Sequence, residues 1–226
     1  TTALALRAQA FAPVDEHAYE VSLPVEMAAP IYTQPAGDAA ASLIPGWSEF
    51  VAGEGQRWLV AGYRPDLAAP ATLMGPGIQL VDANADEATI RREATRFMTE
   101  HARLLNLNPS ELSLTEVLPS GERCQVIFLQ VHDGLEVIGG RAELYLWRGK
   151  VVSFGSEFYP HVAAFATPAL STDEAQRRSV EGLPFGSAAA DHFEGPARLV
   201  ILPVMLDGRA SYFLAYEVKA RTSSPN

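Results

Sequence analysis

The chain has 226 residues, of which 48% are hydrophobic and 19% charged, an ordinary balance for a globular protein with enough apolar material for a core. Seventeen basic against twenty-seven acidic side chains give a formal charge of −10. That charge repels phosphate backbones and anionic lipid surfaces, so nucleic acid is not an expected partner. No run approaches the roughly 20 apolar residues of a membrane-spanning helix. The absence of an initiator methionine and of a basic-then-apolar leader fits a mature, processed chain or one trimmed to remove its leader. Cys124 is the sole cysteine. An intramolecular disulfide is therefore excluded, and its setting in an apolar strand predicts a buried, inert thiol.

Residues 1–83 are rich in Ala and Pro and read as an N-terminal arm followed by a β-rich lead-in. Thr1 to Pro13 is expected to be a loosely attached arm. Tyr19 to Val25 alternates as a strand, and Arg57 to Tyr63 is a second one, broken at Arg64-Pro65-Asp66. Gly75-Pro76-Gly77 then introduces a further strand from Ile78 to Val81. Trp47, Phe50 and Trp58 can anchor a sheet or line a binding surface, and the sheet is the expected place, because large aromatic rings bury most surface when internal.

From Glu87 to Leu105, the residues Ile90, Ala94, Phe97, Met98, His101, Leu104 and Leu105 recur at spacings of three and four. They form one apolar stripe of an amphipathic helix. Asp86 is its candidate cap and Asn108-Pro109 its terminator. A strand over Cys124–Leu129 leads into a glycine-marked hairpin. Its second arm alternates, with Ala142, Leu144 and Leu146 on one face and Arg141, Glu143, Tyr145 and Trp147 on the other, the pattern of a half-buried antiparallel strand. Arg148-Gly149-Lys150 turns the chain into a last strand from Val151 to Phe154.

Pro160 to Pro168 reads as a linker. Ser171 and Glu174 have capping-box spacing for a short helix ending near Gly182 and Pro184. A loop through Gly186 and Ala190 follows. Leu199–Leu206 and Tyr212–Lys219 then form a hairpin about Asp207-Gly208. The predicted fold class is α+β: two helix-on-antiparallel-sheet, cystatin-like units over 84–165 and 166–226, preceded by the lead-in.

The first unit resembles the fungalysin/thermolysin propeptide (FTP) domain. The helix A-T-R-F-M-T-E-H-A-R-L-L-N-L (Ala94 to Leu107), the hairpin residues Gln130, Gly134, Val137 and Gly139, and the ending Gly149-Lys150-Val151-Val152-Ser153 carry the likeness. Leu135 and Glu136 depart from the family's usual valine and proline. The second unit is similar to the PepSY domain that follows the first in protease pro-regions, through Leu170, Ser171, Glu174 and Ala175, and through Leu214-Ala215-Tyr216-Glu217-Val218. This resemblance implies the pro-region of a secreted zinc metallopeptidase, acting as intramolecular chaperone and inhibitor. The implied partner is the cognate peptidase, which holds the zinc. The alternative is a freestanding secreted protein-binding module.

No catalytic constellation emerges from the residues themselves. None of His17, His101, His132, His161 and His192 begins H-E-x-x-H, and G-x-S-x-G, a P-loop and a dinucleotide fingerprint are absent. The chain is therefore expected to be no enzyme, with no cofactor or metal of its own. His132, Asp133 and Glu136, with Arg141 across the hairpin, form the nearest polar cluster and read as a surface turn. The residues expected to contact a peptidase are His132, Asp133 and Glu136 on that turn, and Lys219 and Arg221 in the tail.

Overall fold

The structure, a computed structural model, describes residues 26–27, 38–54, 57–65, 67–163, 167–181, 185–186, 191–206 and 209–221. The expected arm, the strand at Tyr19–Val25, the turn at Asp207-Gly208 and His17 lie outside these residues, as do Gly182, Pro184 and Ala190. Two compact units are present, one spanning Ala29–Val162 and the other Thr1–Ala28 with Ala163–Asn226. In chain order the elements are β1 (Glu26–Met27), α1 (Asp38–Ala41), α2 (Trp47–Glu54), β2 (Leu59–Arg64), β3 (Ala69–Gln79), α3 (Glu87–Glu100), α4 (Ala102–Leu105), a 3₁₀ turn (Pro109–Glu111), β4 (Leu112–Ser120), β5 (Arg123–His132), β6 (Leu135–Trp147), β7 (Lys150–Ser156), α5 (Thr172–Ser179), β8 (His192–Phe193), β9 (Arg198–Leu206), β10 (Arg209–Glu217) and β11 (Ala220–Arg221). The fold is α+β with antiparallel sheets, as its sequence predicts.

In the larger unit the strands lie in the order β4-β5-β6-β7-β3-β2, every neighbouring pair antiparallel. β2 and β3, read from the sequence as lead-in, are part of this sheet because β3 runs along β7. Gly75-Pro76-Gly77 does not start a strand. β3 passes through it, and the pairing with β7 slips between Met74 and Ile78, which is where a strand tolerates a proline that cannot donate to the ladder. β4 escaped the sequence reading. It is a half-exposed edge strand with a register slip between Leu114 and Glu116 and a proline at 119, so its alternation is broken midway.

The amphipathic stripe packs as expected on one face of this sheet. Ala94, Phe97, Met98, Leu104 and Leu105 are buried in the core. Asp86 caps α3 by accepting the Thr89 backbone N–H at 2.7 Å, and that bond holds its carboxyl below the ordinary range. The expected single helix is interrupted at His101, whose backbone leaves the helical region (φ −97°, ψ 10°). Its ring stacks on Phe97 at 4.2 Å, and its Nδ1 lies 2.8 Å from the Phe97 carbonyl oxygen. Phe154 meets Phe50, Trp58 and Phe97 edge-on at 5.0–5.8 Å, so the three aromatic anchors expected from the lead-in region include two that enclose this ring. Trp47 packs beside Phe50 at 5.9 Å.

Residues paired across the strands form two adjacent rows. Val60, Leu73, Phe154, Leu144, Val126 and Val117 are consecutive partners across the six strands; the first five are buried and Val117 is half-buried against the same core. One residue further along each strand, Leu59, Met74, Ser153, Tyr145, Gln125 and Leu118 pair in the same way. Because successive side chains point to opposite faces, the second row lies on the face away from α3.

In the smaller unit β9 pairs with β10 from Leu206↔Arg209 to Arg198↔Glu217, and β1 pairs with the other edge of β9. β8 and β11 form a separate two-stranded ladder. Ser171 caps α5, its Oγ accepting the Glu174 N–H at 3.2 Å. Tyr216 donates its hydroxyl hydrogen to the Leu170 carbonyl oxygen at 2.8 Å, tying the start of the helix segment to the hairpin.

Candidate interaction face

The hairpin singled out in the sequence is closed by Asp133-Gly134, with φ of +49° and +81°. Positive φ at both central residues marks the tight turn whose twist suits two flanking strands. His132 pairs with Leu135 in the ladder, and Glu136, half-buried, pairs with Val131. The His132 Nε2 lies 3.7 Å from the exposed Asp133 carboxylate. Arg141 does not complete this cluster. It pairs with Leu129, several residues from the turn, and its guanidinium is bound to Glu143.

The group that does join His132 is Glu111, from the 3₁₀ turn, with Oε1 3.0 Å from His132 Nδ1. Glu111 Oε2 accepts from Gln130 Nε2 at 2.6 Å. Gln130 is fully buried and also donates to the Tyr159 carbonyl oxygen and accepts the Tyr159 N–H, both at 2.8 Å. A Cβ on Gly140 would stand 2.6 Å from Gln130 Oε1, so the glycine is what lets the glutamine side chain reach the segment after β7. Arg64 Nη1 donates to the Phe158 carbonyl oxygen at 2.7 Å in the same region. The motif residue Gln130 and the neighbouring strand's Gly140 thus form a buried clamp, and His132 is held at its edge.

Lys219 and Arg221 lie in the smaller unit, both exposed. The Lys219 carbonyl oxygen accepts the Glu194 N–H at 2.8 Å, and Arg221 Nε is 3.5 Å from Glu194 Oε1. Among the described residues, no group of three or more His, Cys, Asp or Glu is arranged to hold a metal ion. No helix among them is long and apolar enough to cross a membrane. Cys124 is buried, and burial pushes its thiol above the ordinary range.

The feature that stands out is the outward row. Leu59, Met74, Tyr145 and Leu118 are 67%, 51%, 42% and 45% exposed, and Trp147, two residues beyond Tyr145 on the same face, is 45% exposed. These five side chains share one face of one sheet, where soluble proteins ordinarily alternate to polar residues. The concave surface there encloses about 950 Å³. Gln125 Nε2 donates to Glu143 Oε2 and to the Tyr145 phenolic oxygen, both at 2.8 Å. Tyr145's own hydrogen bond with the Glu143 carboxylate raises its phenol, with burial adding to it. Arg148 stacks over the Trp147 ring at 5.1 Å. Glu157, whose N–H donates to the Arg141 carbonyl oxygen at 2.6 Å, lines the same surface. Its carboxyl is raised by burial. Sequence alternation had already put Arg141, Glu143, Tyr145 and Trp147 on one side of a strand. Leu59, Met74 and Leu118 join them only through cross-strand register.

The sequence matches no family model and no curated protein. Among solved structures, the chain is similar to the Bacillus megaterium YpeB C-terminal domain, with a TM-score of 0.42 and 10% identity over 84% of this chain and 100% of that one.

Proposed function

We propose that the chain is a non-catalytic, PepSY-type regulatory module that binds another protein through the outward face of the larger unit. In its more specific form the proposal makes the chain the pro-region of a secreted zinc metallopeptidase, which it helps to fold and holds inactive. The observation that carries the binding reading is the register-aligned row Leu59, Met74, Tyr145 and Leu118, left open to solvent with Trp147 beside it. Aromatic residues, Met and Arg are the side chains enriched where proteins meet. The pro-region reading is supported by the sequence likeness of the Ala94–Leu107 helix and its hairpin to propeptide domains, and of the Leu170 and Leu214 segments to PepSY domains.

Physically, a pro-region acts by binding the native peptidase and not the unfolded one, which shifts the folding equilibrium by mass action. Useful inhibition requires a dissociation constant of about 1 μM or tighter, roughly −8 kcal/mol. The test is to add the chain in trans to a mature thermolysin-type peptidase and measure both residual activity and the rate of refolding from denaturant. Slower hydrolysis and faster refolding support the reading; no effect on either discards the pro-region and leaves a freestanding binding module. Removing the residues after Val218 addresses the tail containing Lys219 and Arg221. Inhibition should fall while refolding assistance persists, and equal loss of both would remove the tail from the mechanism.

A further inference from the structure

We propose that the outward face of the larger unit takes an extended segment of its partner, one carrying a basic side chain at one end, an acidic side chain about six residues further along, and apolar side chains between. This inference rests on the reading of the chain as a protein-binding module and names the chemistry of what it holds. Two charged side chains border the concave surface without a counter-ion among the described residues: Glu157 and Arg123. The other charged pair on the face, Arg141 and Glu143, is internally neutralised. Glu157 lies level with Arg141 through its backbone hydrogen bond, and Arg123 lies level with Trp147 through the ladder. Six residues of β6 separate those levels, roughly 20 Å at ~3.3 Å per residue, which is the span of an extended heptapeptide.

Between the two charges lie Tyr145, Met74 and Leu118, with Gln125 held against Tyr145. Glu157 is half-buried, and burial alone accounts for its raised carboxyl. Such a carboxylate costs free energy until a cation is brought to it, and an incoming Lys or Arg supplies one. A second copy of this chain also has a complementary pair to offer, Arg123 of each against Glu157 of the other. The charge of −10 on each copy opposes that encounter, so a segment of a different protein is the favoured occupant.

The experiment uses three fluorescein-labelled heptapeptides: Lys-Thr-Leu-Thr-Leu-Thr-Glu, the same peptide with Glu at both ends, and the same with Lys at both ends. Fluorescence anisotropy at low salt should rank the mixed-charge peptide about tenfold tighter than either of the others. Glu157→Lys should reverse the preference toward the di-acidic peptide, and Arg123→Glu toward the di-basic one. Opposite reversals cannot arise from a generally weakened fold, and circular dichroism confirms that each variant is folded. An identical ranking in wild type and both variants overturns the proposal. So does a dimer in sedimentation velocity that Arg123→Glu dissociates and the R123E/E157K pair restores, because the face would then be a self-interface. If the peptides rank as expected but the chain leaves the peptidase unaffected, the pro-region fails and the partner chemistry stands. If substitutions on this face abolish peptidase inhibition while the peptides do not discriminate, the reverse holds.

Discussion

Along β6, Leu144 is fully buried while its neighbour Tyr145 is 42% exposed, and the same single step separates buried Leu73 on β3 from Met74, 51% exposed. Both faces of the sheet carry large apolar side chains, yet among the described residues of this unit only one has a helix over it. On the covered face Phe97 and Met98 of α3 close the core against Phe154 and Leu144. On the other, Tyr145, Trp147, Met74 and Leu118 have no such cover among the described residues of this unit. Within this sheet, apolar residue type does not report burial. What separates core from surface is whether a second layer is supplied, and the described residues of this unit supply one layer for two apolar faces.

The largest effect should come from the covered face. Phe154→Ala removes a ring that meets Phe50, Trp58 and Phe97, and about 3–5 kcal/mol of stability should be lost, read as a lower urea midpoint with unchanged slope. A loss below about 1 kcal/mol would show that the two faces are energetically alike.

Next in size is the clamp. Gln130→Leu leaves the Tyr159 N–H and carbonyl and the Glu111 carboxylate without the amide they use. It should destabilise by about 2–3 kcal/mol in the same assay, because buried polar groups left unpaired incur their full desolvation cost. Native-state hydrogen exchange at the Tyr159 amide should accelerate in parallel. An unchanged Tyr159 exchange rate would remove Gln130 from that role.

The outward face should respond in the opposite sense. Tyr145→Thr with Trp147→Thr keeps β-forming residues on the strand and should change stability by no more than about 1 kcal/mol. Binding of the mixed-charge peptide should nevertheless weaken by at least tenfold. A stability loss comparable to that of Phe154→Ala would mean the face is part of the fold and not a surface kept for a partner.

The smallest effect concerns Glu157, whose carboxyl is raised by burial. The folded state then holds its proton more tightly than the unfolded chain does. Stability from this group is present below the ordinary Glu range and declines as pH rises through the raised value. Glu157→Gln should therefore raise the melting temperature at pH 7, by roughly 1–3 °C, and have no such effect near pH 3. Equal shifts at both pH values would assign the change to something other than the buried charge. Stabilisation together with weaker peptide binding is the behaviour expected of a residue kept for recognition.

Much of the fold was legible because its signals are local. The stripe from Ile90 to Leu105, the cap at Asp86 and the alternation from Arg141 to Trp147 each follow from the period of one element, and burial bears them out. The break at His101 was not legible, since it accompanies a ring stacked on Phe97 within the aromatic cluster around Phe154. β4 was missed because a register slip and Pro119 interrupt its alternation. The turn at His132 and Asp133 was read correctly as a hairpin, but Glu111, the group that binds His132, lies twenty-one residues earlier.

By itself, then, the sequence determined the helical stripe from Ile90 to Leu105, the strands β5, β6, β9 and β10 and the alternation along β6, because those depend on neighbours within a few residues. Only the tertiary structure decided that Leu59, Met74, Tyr145 and Leu118 form one row, and that Glu157 and Arg123 stand at opposite ends of the surface they share. The physical reason is that cross-strand register is set by pairings between residues far apart in the chain. No period within a single strand encodes which residue of the next strand will lie beside it.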